Sequence, residues 1–205
     1  MKQHYYEKLL NIKTGIYQKE SDDAQHYYPY EPTAYEALEA LLESYAFKKD
    51  DCMVDFGCGK GRLSFFIHYF SRIHVKGIEM DEALYKAATA NKNNYLRKMN
   101  KHHARIAFYC CLAQKYPIDA SDNRFYFFNP FSLPIFMKVI NNILRSVEIA
   151  NRDVELILYY ASDDYIYYLE NHTIFERKEE IILPKWYKED PSERFLIYQL
   201  PALSD

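Results

Sequence analysis

The residues of this chain that are best suited to bind a ligand are concentrated in one short loop. Three of its five glycines fall in the segment Gly57-Cys58-Gly59-Lys60-Gly61. The apolar run 52–56 before this segment predicts a buried strand, and Gly61 opens the next predicted helix. Glycines in such a loop permit positive φ angles and let a ligand come close to the backbone. The spacing therefore indicates a binding loop between a strand and a helix.

The side chains around the loop indicate which ligand it would bind. No Ser or Thr follows Lys60, and Arg62 stands where a dinucleotide-binding loop has its third glycine, so neither phosphate-binding pattern is matched. Asp55 would repel a pyrophosphate but suits a cationic group. Glu79 lies 20 residues after Gly59, which fits a carboxylate that binds two ribose hydroxyls. A ligand with a ribose, a positive amino-acid-like portion and no phosphate is S-adenosylmethionine.

The elements that must position the loop alternate between strands and helices. Apolar runs predict strands at 52–56, 73–79, 105–110, 125–128, 154–160, 173–183 and 194–200. Periodic apolar residues predict helices in the intervals from 33 to 171, with Asp81 and Ser162 at two helix starts and Thr33 and Glu36 as a capping box. This alternation favours a parallel sheet covered on both faces, and the last two strands, which have no helix between them, should pair antiparallel.

Length and composition limit the class of protein. The chain has 205 residues, and we expect one domain, with an N-terminal cap of helix and loop at 1–46 and a core at 47–205. A net charge of -3 argues against a strongly cationic nucleic-acid-binding protein. The first ten residues do not form a signal peptide and no apolar run is long enough to cross a membrane, so we expect a cytoplasmic protein. The spacing of the four cysteines does not indicate a metal site.

Two segments resemble those of a known enzyme family. The run from Val54 to Arg62 resembles motif I of class I S-adenosylmethionine-dependent methyltransferases, and Gly77-Ile78-Glu79-Met80-Asp81 resembles the next motif. The order of elements from about 33 to 200 also resembles that fold. The resemblance implies a Rossmann-like, doubly wound α/β fold, with a mostly parallel seven-stranded sheet, an antiparallel C-terminal strand and helices on both faces. It implies that S-adenosylmethionine is bound by Asp55, Gly57, Cys58, Gly59, Gly61, Glu79 and Met80.

The segment after the third predicted strand departs from the family. Methyltransferases of this class usually offer an acid to the adenine amino group there, but Cys110-Cys111-Leu112-Ala113 contains none. Leu112 falls near the place of that acid. We therefore expect Leu112 and Ala113 to hold the adenine through backbone groups and apolar contact.

Asn129-Pro130-Phe131 follows the predicted strand 125–128 and resembles the Asn-Pro-Pro-Tyr/Phe motif of amino-directed methyltransferases, with one proline instead of two. The resemblance implies that the Asn129 amide oxygen and a backbone carbonyl accept the hydrogens of an amine, while the ring of Phe131 stacks on the target. The alternative is an Asn-Pro turn that ends the strand, with Phe131 in the core.

The segment Tyr28-Pro29-Tyr30-Glu31-Pro32-Thr33 resembles the Tyr-x-Pro-Thr segment that precedes motif I in some methyltransferases, including ones that act on protein lysine. There it folds over the cofactor, which implies that Tyr30 and Thr33 contact S-adenosylmethionine. The alternative is that Thr33 only caps and packs.

These observations predict an S-adenosylmethionine-dependent methyltransferase that transfers a methyl group to nitrogen. The sequence leaves the acceptor open among protein side chains, nucleic acid and small molecules, and it leaves the oligomeric state open. One alternative is a noncatalytic S-adenosylmethionine-binding or partner-docking protein. Another is a nicotinamide-dependent oxidoreductase, which Arg62 and Asp55 disfavour.

Overall fold

The computed structural model describes residues 2–15, 30–100 and 105–202. The strands are β1 (Cys52–Phe56), β2 (His74–Glu79), β3 (Ile106–Cys110), β4 (Arg124–Phe127), β5 (Val154–Tyr159), β6 (Glu176–Ile182) and β7 (Arg194–Leu200). The helices are α1 (Lys2–Leu10), α2 (Tyr35–Ser44), α3 (Arg62–Ser71), α4 (Glu82–Met99), α5 (Leu133–Ile149) and α6 (Asp163–His172).

All seven strands form one sheet in the order β3-β2-β1-β4-β5-β7-β6. The pairs from β3 to β5 are parallel, and β7 runs antiparallel to both β5 and β6. The predicted doubly wound, mostly parallel sheet with an antiparallel C-terminal strand is therefore confirmed. The strand order reverses between β1 and β4, and ligands in open α/β sheets bind at such a point, outside the carboxyl ends of the strands.

Both faces of the sheet are covered by apolar layers. Alternate residues of β1 point to opposite faces, so Met53 joins one apolar cluster and Val54 the other. The first face carries α1, α2 and α3 together with Tyr95 of α4, and the second carries α5 and α6. Every residue of β1 is buried, which explains why this strand has a continuous apolar run instead of an alternating pattern.

The helix starts confirm two of the predicted caps and correct the third. Asp81 accepts hydrogen bonds from the amides of α4, and Ser162 accepts one at the start of α6. The capping box at Thr33 is wrong. Helix α2 begins at Tyr35 after Ala34, which makes no side-chain cap. The Thr33 hydroxyl instead forms a 2.7 Å hydrogen bond with the buried Tyr126 hydroxyl of β4, so it links the chain before α2 to the sheet.

In the ranges 2–15, 30–100 and 105–202, none of the helices has the length and apolar character of a membrane span.

A buried ion pair at the amino-terminal edge of the sheet generates a stability prediction. Lys76 Nζ lies 2.6 Å from Asp122 Oδ1, and the Asp122 side chain is fully buried and also accepts a hydrogen bond from Tyr116. Replacing one member of such a pair leaves the other charge uncompensated. We expect Asp122→Asn to lower the free energy of unfolding by about 3–5 kcal/mol, measured by urea denaturation.

The matched control is Glu82→Gln, because Glu82 pairs with Lys86 on the exposed face of α4. That variant should change the free energy of unfolding by less than about 1 kcal/mol. Equal effects of the two substitutions would contradict a stabilising role for the buried pair.

Candidate functional site

The glycine loop leaves the carboxyl end of β1 and turns across the end of β2. Gly57, Gly59 and Gly61 all have positive φ angles, of 77°, 53° and 83°. The amides of Gly57 and Cys58 donate to the carbonyl of Ile78 at 2.9 and 3.1 Å. These bonds explain the left-handed backbone, because only glycine adopts it repeatedly without steric cost. The loop is thereby held against β2, at the predicted place.

Two buried carboxylates flank the loop. Asp55 is 3% exposed and accepts a 2.8 Å hydrogen bond from the Ser64 hydroxyl. Glu79 is 8% exposed, and its two oxygens accept from the amides of Gly59 and Asp81 at 2.9 and 2.8 Å. The hydrogen bond between the Gly59 amide and Glu79 therefore both orders the loop and positions the Glu79 carboxylate.

The electrostatics of these carboxylates suit a cationic ligand. Burial raises the pKa of Asp55 to about 7, although the Ser64 hydrogen bond opposes this and the nearby Glu79 charge adds to it. Burial also raises the pKa of Glu79, against the opposing hydrogen bonds from backbone amides. Within the described part of the chain, neither carboxylate forms an ion pair with Lys or Arg. A bound cation would compensate a charge that the protein alone leaves uncompensated.

Arg62 fixes the chain segments that cover the loop, a role that no sequence pattern indicated. Its side chain is buried at the start of α3. Its Nε and Nη2 atoms donate to the hydroxyl and carbonyl of Thr14 at 2.8 and 3.1 Å, and Nη1 donates to the carbonyl of Thr33 at 3.3 Å. The guanidinium also lies 4.7 Å from the centre of the Tyr35 ring. One side chain thus joins both cap segments, around residues 14 and 33, to the first turn after the loop.

Tyr30 lies directly on the glycine loop. Its hydroxyl donates to the Thr14 carbonyl at 2.9 Å, and a Cβ atom added to Gly59 would meet Cε2 of the Tyr30 ring at 2.0 Å. A cavity of about 30 Å³ is left between the loop and the cap. A ligand that contacts Gly59 must therefore turn the Tyr30 ring aside. Thr33 is buried and bonded to Tyr126. Tyr28 and Pro29, which belong to the same segment as Tyr30 and Thr33, lie outside the described residues.

The residues expected around an adenine lie where β2 and β3 end side by side. Glu79 and Cys110 are register partners, and the Cys111 amide donates to the Glu79 carbonyl at 3.1 Å. Met80 is 39% exposed and Leu112 is half-buried, whereas Ala113 and Cys58 are buried. Of these residues, Met80 and Leu112 are therefore the most accessible for apolar contact with a ligand.

Asn129-Pro130 follows β4, the strand that pairs in parallel with β1. Asn129 is half-buried and has a φ of 40°, a left-handed conformation that asparagine tolerates better than most residues. Pro130 packs closely on the loop. A Cβ atom added to Gly57 would lie only 2.7 Å from the Cβ of Pro130. The structure therefore brings Asn129 and Pro130 next to the glycine loop.

Phe131 does not have the position that the predicted stacking role requires. It is 1% exposed, its ring meets Phe127 edge-on at 6.2 Å, and its carbonyl accepts a hydrogen bond from the Tyr165 hydroxyl. This arrangement corresponds to the alternative in which Phe131 belongs to the core. The half-buried Phe128 lines the cavities beside the loop, a position that the sequence did not indicate because Phe128 was predicted to end a buried strand.

Phe128 lies between two cavities. The first, between the loop and the cap, is lined in part by Asp55, Gly57 and Tyr126. The second has a volume of about 440 Å³ and shares Glu31, Pro32 and Phe128 with the first. Its other lining residues are Ala34, Tyr159, Tyr160, Trp186, Glu189, Asp190 and Glu193. A ligand at the loop and a second molecule in the larger cavity would be neighbours across Phe128.

The sheet order, with the glycine loop and the acid at the end of β2, defines a Rossmann-like fold whose candidate ligand site lies at the carboxyl ends of the strands. Residues 32–118, which contain the loop and Glu79, match a family of methyltransferase domains. This part of the chain is therefore similar to methyltransferase domains. No curated protein sequence matches the chain.

Several solved structures share the fold. The [4+2]-cyclase SpnF is 14% identical, with a TM-score of 0.60 and 87% of each chain covered. A SAM-dependent methyltransferase from Aquifex aeolicus is 15% identical, with a TM-score of 0.57 and coverage of 82% of this chain and 93% of that one. An RNA methyltransferase from Salinibacter ruber is 15% identical, with a TM-score of 0.54 and coverage of 85% and 97%. At these identities, the likeness establishes the fold.

The raised pKa of Asp55 predicts a pH-dependent loss of stability. Below about pH 4 the carboxyl is protonated in both the folded and the unfolded chain, and above pH 7 it is ionised in both. Since the folded pKa is raised, stability is lost as the pH rises through this interval. We expect Asp55→Asn to be more stable than the wild type at pH 8, with an advantage about 2–3 kcal/mol larger than at pH 5.

Urea unfolding at several pH values measures this difference, and the exposed Asp50→Asn is the matched control. If the difference in the free energy of unfolding between Asp55→Asn and the wild type stays constant from pH 5 to pH 8, Asp55 is ionised throughout this range in the folded protein.

Proposed function

We propose that this chain transfers the methyl group of S-adenosylmethionine to a nitrogen atom. We also propose that the chain is one catalytic domain, in which residues 1–46 form a cap over the core of residues 47–205. The observation that carries the nitrogen assignment is the position of Asn129-Pro130. It follows the strand next to β1 and contacts the glycine loop through Pro130 and Gly57. An amide oxygen there is a hydrogen-bond acceptor beside the cofactor loop.

The residues present fit S-adenosylmethionine. The glycine loop has no side chain where Gly59 turns, so a ligand can approach its backbone there once Tyr30 is displaced. The Glu79 carboxylate suits the ribose hydroxyls, and Asp55 suits the positive amino-acid portion. Met80 and Leu112 offer apolar contact to the adenine. When bound, the cofactor supplies a methyl group activated by a sulfonium centre.

The chain's own contribution to catalysis is orientation. The Asn129 amide oxygen and the Pro130 carbonyl accept the hydrogens of an acceptor amine, which fixes the direction of its lone pair. Holding two reactants in the reactive geometry replaces a bimolecular encounter with a unimolecular step and provides a large share of many rate enhancements. Phe128, at the boundary of the two cavities, confines the acceptor on the side away from the loop.

A noncatalytic S-adenosylmethionine-binding protein is the second candidate. The Tyr30 ring over Gly59 favours it, because this ring fills space that a cofactor would need. Calorimetry with S-adenosylhomocysteine and with NAD separates the candidates at the level of ligand class. Binding without transfer to any acceptor would favour the noncatalytic protein, and preference for NAD would favour an oxidoreductase.

We expect Glu79→Gln to weaken the binding of S-adenosylhomocysteine at least about tenfold. The glutamine keeps an oxygen for one loop amide but loses the charge that strengthens hydrogen bonds from the ribose hydroxyls. Isothermal titration calorimetry measures the affinity. Glu82→Gln, which removes an exposed acid three residues further along the chain, should bind as the wild type does. Unchanged affinity in Glu79→Gln would mean that this carboxylate only anchors the loop.

We expect Asn129→Gly to lower the rate of methyl transfer by roughly a hundred- to a thousand-fold, as for loss of a positioned oxyanion-hole donor. Glycine is a better deletion than alanine because it keeps the positive φ of this position. Asn129→Asp retains both the acceptor oxygen and the conformation, so it should retain much of the activity.

Transfer of tritium from labelled cofactor to acceptors in a cell extract measures the rate, and calorimetry checks that cofactor affinity is unchanged. If the aspartate and glycine variants lose activity equally while binding the cofactor normally, the acceptor role of Asn129 is refuted.

A further inference from the structure

The larger cavity has a composition that the proposed reaction does not by itself require. Its walls contain four aromatic side chains, from Phe128, Tyr159, Tyr160 and Trp186. The described part of the chain also contributes four carboxylates to these walls, from Glu31, Glu189, Asp190 and Glu193, and no Lys or Arg. We call these eight residues the aromatic–acidic pocket.

The aromatic rings and two of the acids are organised as a unit. The Phe128 ring lies 4.7 Å from that of Tyr159 and 6.4 Å from that of Tyr160. The Tyr159 hydroxyl donates to the Glu193 carboxylate, and the Tyr160 hydroxyl donates to that of Asp190. The rings are thus held in place from the loop between β6 and β7.

The backbone adds to this organisation. Tyr160 directly follows β5 with a φ of 52°, and its amide donates to the Arg194 carbonyl at 3.2 Å. The Ser192 amide donates to Asp190 at 2.9 Å. The pocket therefore forms where the residue that follows β5 contacts the start of β7.

We propose that the aromatic–acidic pocket binds the alkylammonium group of the methyl acceptor, an inference that rests on the proposed function. Aromatic faces attract cations through their quadrupole, and carboxylates near the rings add a direct charge interaction. The pocket shares Glu31 and Phe128 with the cavity at the glycine loop, so a group bound in it lies beside the transfer site.

The charge of the pocket disfavours the other acceptor classes. A phosphate backbone would meet four carboxylates without a compensating cation. A neutral apolar acceptor that filled the space would take carboxylates, among them the exposed Glu31 and Glu189, out of water without supplying a compensating charge, which is costly. An alkylammonium group is complementary to both the aromatic and the acidic walls of the pocket. Its carbon chain contacts the rings, and its charged nitrogen lies near the carboxylates.

The reaction balances without a further reactant. The acceptor ammonium, held first in the pocket, loses one proton to water at the exposed side chains of Glu31 and Glu189, and the neutral amine then passes Phe128 to reach Asn129 and Pro130. The amine lone pair then forms the new N–C bond while the C–S bond of the cofactor breaks, and the electron pair of that bond stays on sulfur. The products are the methylammonium, S-adenosylhomocysteine and the released proton.

Trp186 allows a direct test, because it is the single tryptophan of the chain and it lines the pocket. The protein is titrated at pH 7 with n-butylammonium chloride and, in parallel, with 1-butanol, while tryptophan fluorescence is recorded. We expect a saturable change with the ammonium and none with the alcohol over the same concentrations. Equal responses to both, or no saturable response to the ammonium, would overturn the proposal.

Charge-neutral variants test which carboxylates act. Asp190→Asn and Glu193→Gln should each weaken n-butylammonium binding at least about fivefold, since each removes one charge beside the bound cation. Glu176→Gln is the control, because Glu176 is an exposed acid at the far end of β6, opposite Gln199. The urea midpoint of each variant is measured as well. Correctly folded pocket variants that bind as the control does would also overturn the proposal.

Two arms distinguish the sources of the alkylammonium group. Methyl transfer from labelled cofactor is measured to Nα-acetyl-lysine amide, which represents a protein side chain, and to spermidine, which represents a free polyamine. Transfer to either supports the proposal and identifies the source, and transfer to neither refutes the pocket as an acceptor site. If methyl groups reach other acceptors in a cell extract but neither of these two, the pocket has failed as an acceptor site. If no acceptor is methylated at all, the proposed function has failed, so the two failures are distinguishable.

Discussion

The hydrogen bonds from the glycine loop to the end of β2 are the interaction on which the candidate site depends. The amides of Gly57 and Cys58 share the Ile78 carbonyl, and the next amide, of Gly59, binds the Glu79 carboxylate. These bonds need a left-handed backbone at alternate positions, which explains the spacing of the glycines. They also fix Glu79, so the same contacts that shape the loop aim the acid expected to bind the ribose.

A buried arginine is one of the side chains that join the cap to this loop, beside Lys60, whose Nζ donates to the Gly15 carbonyl at 2.8 Å. Arg62 follows the last glycine directly, and its guanidinium binds backbone or hydroxyl oxygens of Thr14 and Thr33. Its fork of donors reaches both segments at once, which a lysine could not do with one ammonium. Because Tyr30 bonds to the same Thr14, the position of the ring over Gly59 is coupled to Arg62. Displacement of the Tyr30 ring by a ligand would therefore disturb contacts that Arg62 shares.

The sequence predicted the elements better than it predicted the contacts between distant ones. The strand at 52–56 and the cap at Asp81 are encoded locally, by a run of apolar residues and by one carboxylate before a helix. The capping box at Thr33 failed because the hydroxyl of Tyr126, distant in sequence, binds the same oxygen. The role of Arg62 and the place of Phe128 between two cavities likewise depend on segments that only the folded chain brings together.

The two groups of acids in this region differ in solvation, and this difference separates their roles. Asp55 and Glu79 are nearly inaccessible to water, so their charges are costly in the free protein and favour a ligand that compensates them. Glu31 and Glu189 are exposed, so their charges cost little and act on a cation before it is bound. Phe128 lies between the two groups. A positively charged donor and a positively charged acceptor would repel each other at close range. Acids on both sides of this ring lower that repulsion, and loss of the acceptor's proton removes it before the methyl group moves.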